Sequence, residues 1–127
     1  MNGKVQVNVD AARRTGRLEH TWNYIGYDEC NYTHSPGGMA LIAKFGGMEK
    51  PYYVRAHHML CTGNRHGSYK WGSTNVYTED ADGSPVYDYE TIDRMIDIWL
   101  GNNCRPFFEL GFMPKDLAAE IHSSASK

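Results

Sequence analysis

Three strand-like stretches, each followed by a helical segment that ends in glycine or opens on proline, set the tightest limit on what this 127-residue chain can fold into. In the first, Val5, Val7 and Val9 alternate with Lys4, Gln6 and Asn8, the period-2 pattern of a strand with one buried face. The second, PYYVRAHHML from Pro51 to Leu60, is rich in β-formers and offers Val54 and Met59 to a core. The third, CRPFFELGF from Cys104 to Phe112, is largely apolar on both sides, as expected of a strand in a covered parallel sheet.

The helical segments are marked by spacing and punctuation. Met39, Leu41, Ile42 and Phe45 predict a short helix that Gly46 and Gly47 close, glycine being able to adopt the left-handed conformation that ends helices. Ile92, Met95, Ile96, Trp99 and Leu100 keep the i, i+3, i+4, i+7, i+8 spacing of one buried face, with Asp88 placed as its cap and Gly101 as its stop. Pro114 can open a third helix, with Leu117 and Ile121 on one face. Strand and helix alternating in this way predict an α/β chain with a parallel sheet. Three units are too few to close a (β/α)8 barrel, which takes about 250 residues.

Two long connections interrupt this order. Residues 16–38 have no sustained period and read as an aromatic-rich loop ending in Ser-Pro-Gly-Gly. Residues 61–87 form a second excursion, in which STNVYTED and SPVYDY flank the turn signal Ala81-Asp82-Gly83 and predict an inserted β-hairpin. Both follow the carboxyl ends of predicted strands, where barrel enzymes build their sites. Nine tyrosines and three tryptophans, many in these polar segments, suit the faces of sugar rings and suit a protein interface equally well.

Several functions are disfavoured. A net charge of -2 provides no basic surface for a phosphate backbone, so no nucleic-acid partner is expected. No apolar run approaches the roughly 20 residues of a membrane span, and the start MNGKVQVNVD lacks a signal-peptide core, so a cytoplasmic protein without a membrane partner is expected. Cys30, Cys61 and Cys104, odd in number and widely spaced, predict free thiols, and none sits in a recognisable nucleophile setting. His57, His58, Cys61 and His66 could invite a metal, but adjacent residues of a strand point to opposite faces. No metal or cofactor is expected, and Gly46-Gly47 has no trailing lysine to make a phosphate loop.

The combination of Pro51-Tyr-Tyr-Val-Arg-Ala-His57-His-Met-Leu, Asp88-Tyr-Glu-Thr-Ile-Asp-Arg and Arg105-Pro-Phe-Phe-Glu109-Leu-Gly-Phe-Met-Pro-Lys-Asp-Leu resembles the family 39 glycoside hydrolases, and their β-xylosidase branch in particular. The resemblance implies a (β/α)8 barrel and retaining hydrolysis by two glutamates, an acid/base after an asparagine at the end of the fourth strand and a nucleophile ending the seventh. Residues 1–127 then correspond to the N-terminal part of that catalytic barrel, about its first three βα units. No Asn-Glu-Pro triplet occurs in the chain, so no catalytic residue is assigned and the chain by itself is expected to be inactive.

What the resemblance carries over is binding of a xyloside or related oligosaccharide. His57, in the Arg-Ala-His motif, matches the family's histidine that contacts the sugar beside the cleaved bond. Glu109 is assigned a supporting role with Arg55 as its partner, because an ionised group in a barrel interior is costly unless paired. Trp22, Tyr24, Tyr27 and Asn31 after the first predicted strand, with Tyr69 and Trp71 after the second, are candidates for stacking on or bonding to a pyranose; of these Trp22, Tyr27 and Trp71 are the preferred ones. The alternative is a non-catalytic assembly piece. A three-stranded open sheet exposes two edges through which a homo-oligomer could form.

Overall fold

The computed structural model describes residues 3–63 and 74–119; His66, Tyr69, Trp71 and Ile121 lie outside the described residues. Strand β1 (Tyr24–Tyr27) leads through a short 3-10 turn at Cys30–His34 into helix α1 (Pro36–Gly46). Strand β2 (Tyr53–Ala56) is followed by the hairpin of β3 (Tyr77–Glu79) and β4 (Pro85–Tyr87), then by helix α2 (Glu90–Gly101) and strand β5 (Arg105–Pro106). β1, β2 and β5 form a parallel sheet in the order β1-β2-β5, and β3 and β4 pair antiparallel about the Asp82-Gly83 turn. The expected parallel α/β arrangement and the inserted hairpin are both present.

The first strand is not where the alternating valines put it. Val5, Val7 and Val9 are 89%, 77% and 82% exposed and lie in no strand. The strand is instead YIGY, inside the stretch read as loop, where four residues interrupted by Gly26 are too short to show a period. Pairing with β2 makes it a strand: Tyr24, Ile25, Gly26 and Tyr27 stand opposite Tyr53, Val54, Arg55 and Ala56. Trp22 accordingly precedes the first strand, not follows it.

Helix α1 begins as its sequence requires. Pro36 occupies the first turn, where its missing N–H costs nothing, and Ser35 Oγ accepts from the Gly38 N–H at 3.1 Å. Its end differs from the expectation. Gly47 has φ −79°, an ordinary right-handed value, so no left-handed residue closes the helix. Gly46 is required by space: a Cβ there would lie 1.9 Å from the backbone oxygen of Asn102, just past α2. The cap of α2 is Tyr89 and not the expected Asp88, which stands one residue earlier and accepts from the Glu90 N–H at 3.0 Å; Ile92, Met95 and Trp99 are buried, whereas Leu100 is exposed.

The third predicted strand shrinks to two residues. The Arg105 and Phe107 N–H groups donate to the Tyr52 and Val54 carbonyls, both at 2.8 Å. Beyond them Phe107, Phe108 and Leu110 are exposed, so this strand is not covered on both faces among the described residues. After Pro114 there is a 3-10 turn at Lys115–Leu117 rather than a helix, with Leu117 exposed.

The core lies on one side of the sheet. Val54 and Ala56 of β2 pack with Cys30, Ile42, Met59, Met95, Trp99 and Cys104, and Ile25 and Tyr27 of β1 flank them. The Trp99 indole N–H donates to Tyr27 Oη at 3.1 Å, and Tyr27 Oη shares a hydrogen bond with Thr33 Oγ1 at 2.5 Å, tying α2 to β1. The opposite face, carrying Tyr24, Tyr53 and Arg55, is open.

Cys30 is completely buried, and its Sγ donates to Asn31 Oδ1 at 3.2 Å. Burial pushes this thiol up from 9.0 to about 12, with neighbouring Cys61 adding to the rise. Burial raises Cys104 and Tyr27 as well. The fold holds these protons more tightly than the unfolded chain does, so their contribution is complete below about pH 9. As pH rises from 9 towards 12 it is lost, at about 1.4 kcal/mol per pH unit for one fully titrating thiol. Urea midpoints should therefore fall between pH 8 and pH 10.5, and Cys30→Ala should flatten the decline; midpoints that stay level would contradict this.

Candidate functional site

The alternation of β2 sets the site. Val54 and Ala56 point into the core, so Arg55 points to the open face, and the strand delivers His57 just past its carboxyl end. The His57 N–H donates to the Tyr27 carbonyl at 3.3 Å, which fixes the backbone there. Opposite Arg55 in the register stands Gly26, which presents no side chain to compete for the space.

Glu109 reaches the same place from the segment after β5. Its Oε2 lies 2.9 Å from the Arg55 guanidinium and 3.1 Å from His57 Nδ1. The side chains of Glu109 and His57 are only 27% and 24% exposed, and that of Arg55 44%. Neither His57 Nδ1 nor Glu109 Oε2 has a partner with hydrogen-bond alignment, so Glu109 forms an ion pair with Arg55 and a close approach to His57. At this exposure the Arg55–Glu109 pair contributes up to about 1 kcal/mol. On the other side of the ring His57 Nε2 lies 3.5 Å from Asp28 Oδ1, immediately past the carboxyl end of β1. The imidazole is thus flanked by two carboxylates from different strand ends, with its Nε2 edge towards solvent-exposed Asp28.

The neighbouring histidine has a different task. β2 ends at Ala56, and His58 turns into the left-handed region with φ 60°, so the two rings do not alternate as strand neighbours. His58 is buried and stacks on Phe112, also at φ 60°, with ring centroids 4.4 Å apart. Burial, with help from His57, pushes the His58 imidazole below its ordinary value and favours the neutral ring. The Cys61 thiol donates to the His58 carbonyl at 3.3 Å, and Cys30 Sγ lies 3.6 Å from the same oxygen.

His57, Glu109 and Arg55, singled out in the sequence, come together. Tyr27 does not join them: its hydroxyl is engaged with Thr33 and Trp99 on the core side. Asn31 is fully buried. Trp22 lies at the other end of the sheet, its ring 4.6 Å from His20, while the adjacent Asn23 side chain donates to the Pro51 carbonyl ahead of β2. Tyr24 does share the open face, stacked on Tyr53 at 5.0 Å with Phe107 edge-on at 6.0 Å. Asp28 was missed because the first strand was placed too early. Knowing that YIGY is a strand makes the next residue, Asp28, the one that stands at the carboxyl end.

The family model for Glycosyl hydrolases family 39 matches residues 5–125. Among characterised relatives, a β-xylosidase from Geobacillus stearothermophilus is 37% identical over 70 residues, covering 53% of this chain and 12% of that protein. The fold superposes on a family 39 enzyme from Xanthomonas axonopodis pv. citri with a TM-score of 0.57 and 25% identity, over 76% of this chain and 17% of that one. It superposes on a family 39 β-xylosidase from Caulobacter crescentus with a TM-score of 0.61 and 23% identity, over 85% of this chain and 22% of that one. The chain therefore spans about a fifth or less of the length of these proteins, and the match of its residues 5–125 to the family model establishes that it belongs to glycosyl hydrolase family 39.

Proposed function

We propose that this chain forms the first βα units of a β-xylosidase-like barrel and supplies its sugar-holding wall, with His57 as the residue that contacts the glycone. The observation that carries this reading is the placement of His57 past the carboxyl end of β2, braced by Glu109 at 3.1 Å and reached by Asp28 at 3.5 Å. Strand ends are where barrel enzymes assemble their sites, and a neutral imidazole can donate to or accept from a sugar hydroxyl. Arg55 holds the Glu109 carboxylate beside the ring.

The same geometry supports a chain that binds without hydrolysing. Retaining hydrolysis needs two carboxyl groups about 5 Å apart across an anomeric carbon. Glu109 and Asp28 instead stand against the two nitrogens of one imidazole. The 127-residue chain should therefore bind a xyloside weakly and release no aryl alcohol from an aryl β-xyloside.

Titration of the chain with methyl β-xyloside, followed by the amide resonances of 53–58, tests this. His57→Ala should lower the affinity about tenfold or more, the cost of one hydrogen bond between sugar and a semi-buried polar group. Glu109→Gln, which keeps the shape and removes the charge, should cost less. Perturbations that ignore both substitutions, or turnover that His57→Ala abolishes, would overturn the reading.

A further inference from the structure

The N-terminal arm has the sequence of a strand and the surroundings of none. Val5, Val7 and Val9 alternate with polar residues, are all more than three-quarters exposed and have no strand partner among the described residues. The arm is also basic. Residues 3–19 hold Lys4, Arg13, Arg14 and Arg17 against Asp10 and Glu19, the last lying 3.5 Å from Arg17.

The hairpin has the opposite character. Residues 74–93 carry Glu79, Asp80, Asp82, Asp88, Glu90 and Asp93 and no lysine or arginine. Beside it lies a groove of about 490 Å³, walled by Tyr77, Tyr87, Tyr89 and Pro85 and floored by Val76 and Leu60. Tyr87 and Tyr89 are more than half exposed and nearly parallel, at 10°, so the wall is a flat aromatic surface open to solvent. The groove's far side is held in place where the Glu79 N–H donates to Asp116 Oδ2 at 3.0 Å; Lys115, next to it, is the one basic residue in the 114–117 segment.

We propose that this groove receives the N-terminal arm of a second copy of the chain. Apolar valines need an apolar trough to leave water, and the tyrosine–proline wall provides one. The arginines that follow the valines then fall near the acidic hairpin, where they pair with carboxylates and lie over tyrosine faces. A second copy is the occupant because one chain carries both halves of the match, so every solution of the protein contains the complement. This association is independent of sugar binding at His57, which lies at the end of the other sheet.

Sedimentation velocity of the full chain at about 100 µM tests it, first in about 0.05 M and then in about 0.5 M salt. A mass above that of the monomer is expected at low salt, shifting towards monomer as the salt rises. Reversal of the arm in an R13E/R14E/R17E variant, and separately of the hairpin in an E79K/D80K/D82K variant, should each weaken association about tenfold or more. Mixing the two reversed chains should restore it, which loss of folding in either could not do. A monomer at low salt, an association indifferent to both reversals, or reversed chains that fail to rescue each other would each overturn the proposal.

Discussion

Trp99→Ala should destabilise the chain by about 3–5 kcal/mol, the usual cost of removing a large aromatic ring from a packed core. Trp99 is 1% exposed and is the largest fully buried side chain among the described residues, in the cluster that joins Val54, Ile42 and Met95. Its loss also removes the donor to Tyr27 Oη that fastens α2 to β1. Domains of this size hold only about 5–15 kcal/mol in total, so most of the margin disappears. Urea unfolding followed by far-UV circular dichroism measures the effect. Trp99→Phe, which keeps much of the volume and loses the hydrogen bond, should fall between; a Trp99→Ala loss under about 1 kcal/mol would mean that the sheet does not depend on α2.

Gly46→Ala should also destabilise, by about 2–3 kcal/mol, although alanine is the better helix former by about 1 kcal/mol. The added methyl would sit 1.9 Å from the Asn102 carbonyl oxygen and 2.8 Å from its carbon. Both are backbone atoms that move only if α1 and the end of α2 separate. Gly101→Ala is the internal control, since a Cβ there meets nothing within 4 Å, and it should be neutral or mildly stabilising. If both substitutions behaved alike in thermal melts, the close approach of α1 to the Asn102 turn would be refuted.

The site was legible where sequence order and spatial neighbourhood coincide. Arg55 and His57 lie on or just beyond one short strand, two residues apart, so the period of 2 sends Arg55 to the open face and puts His57 at the strand end whatever the rest of the chain does. Glu109 could be expected beside them because a carboxylate in an apolar run needs a cation, and Arg55 is that cation at 2.9 Å. Asp28 could not be found this way. It acquires its place only because Tyr24–Tyr27 pairs with β2, and nothing in four residues of alternating tyrosine, isoleucine and glycine announces that pairing.

The sequence by itself determined the amphipathic helix at Glu90–Gly101, the hairpin turn at Asp82-Gly83 and the family to which the chain belongs. Each is a short-range pattern, read within a few residues, or a long motif whose order survives divergence. Only the tertiary structure decided which segment is the first strand, because alternation in Val5–Val9 states a preference for a sheet and cannot supply one. It also decided that Tyr27 serves the core while Tyr24 faces out, and that Gly46 is needed for helix approach and not for a helix end. Strand pairing, facing and helix contact join residues far apart in the chain, and such choices are set by what is available to pack against, a quantity no local window contains.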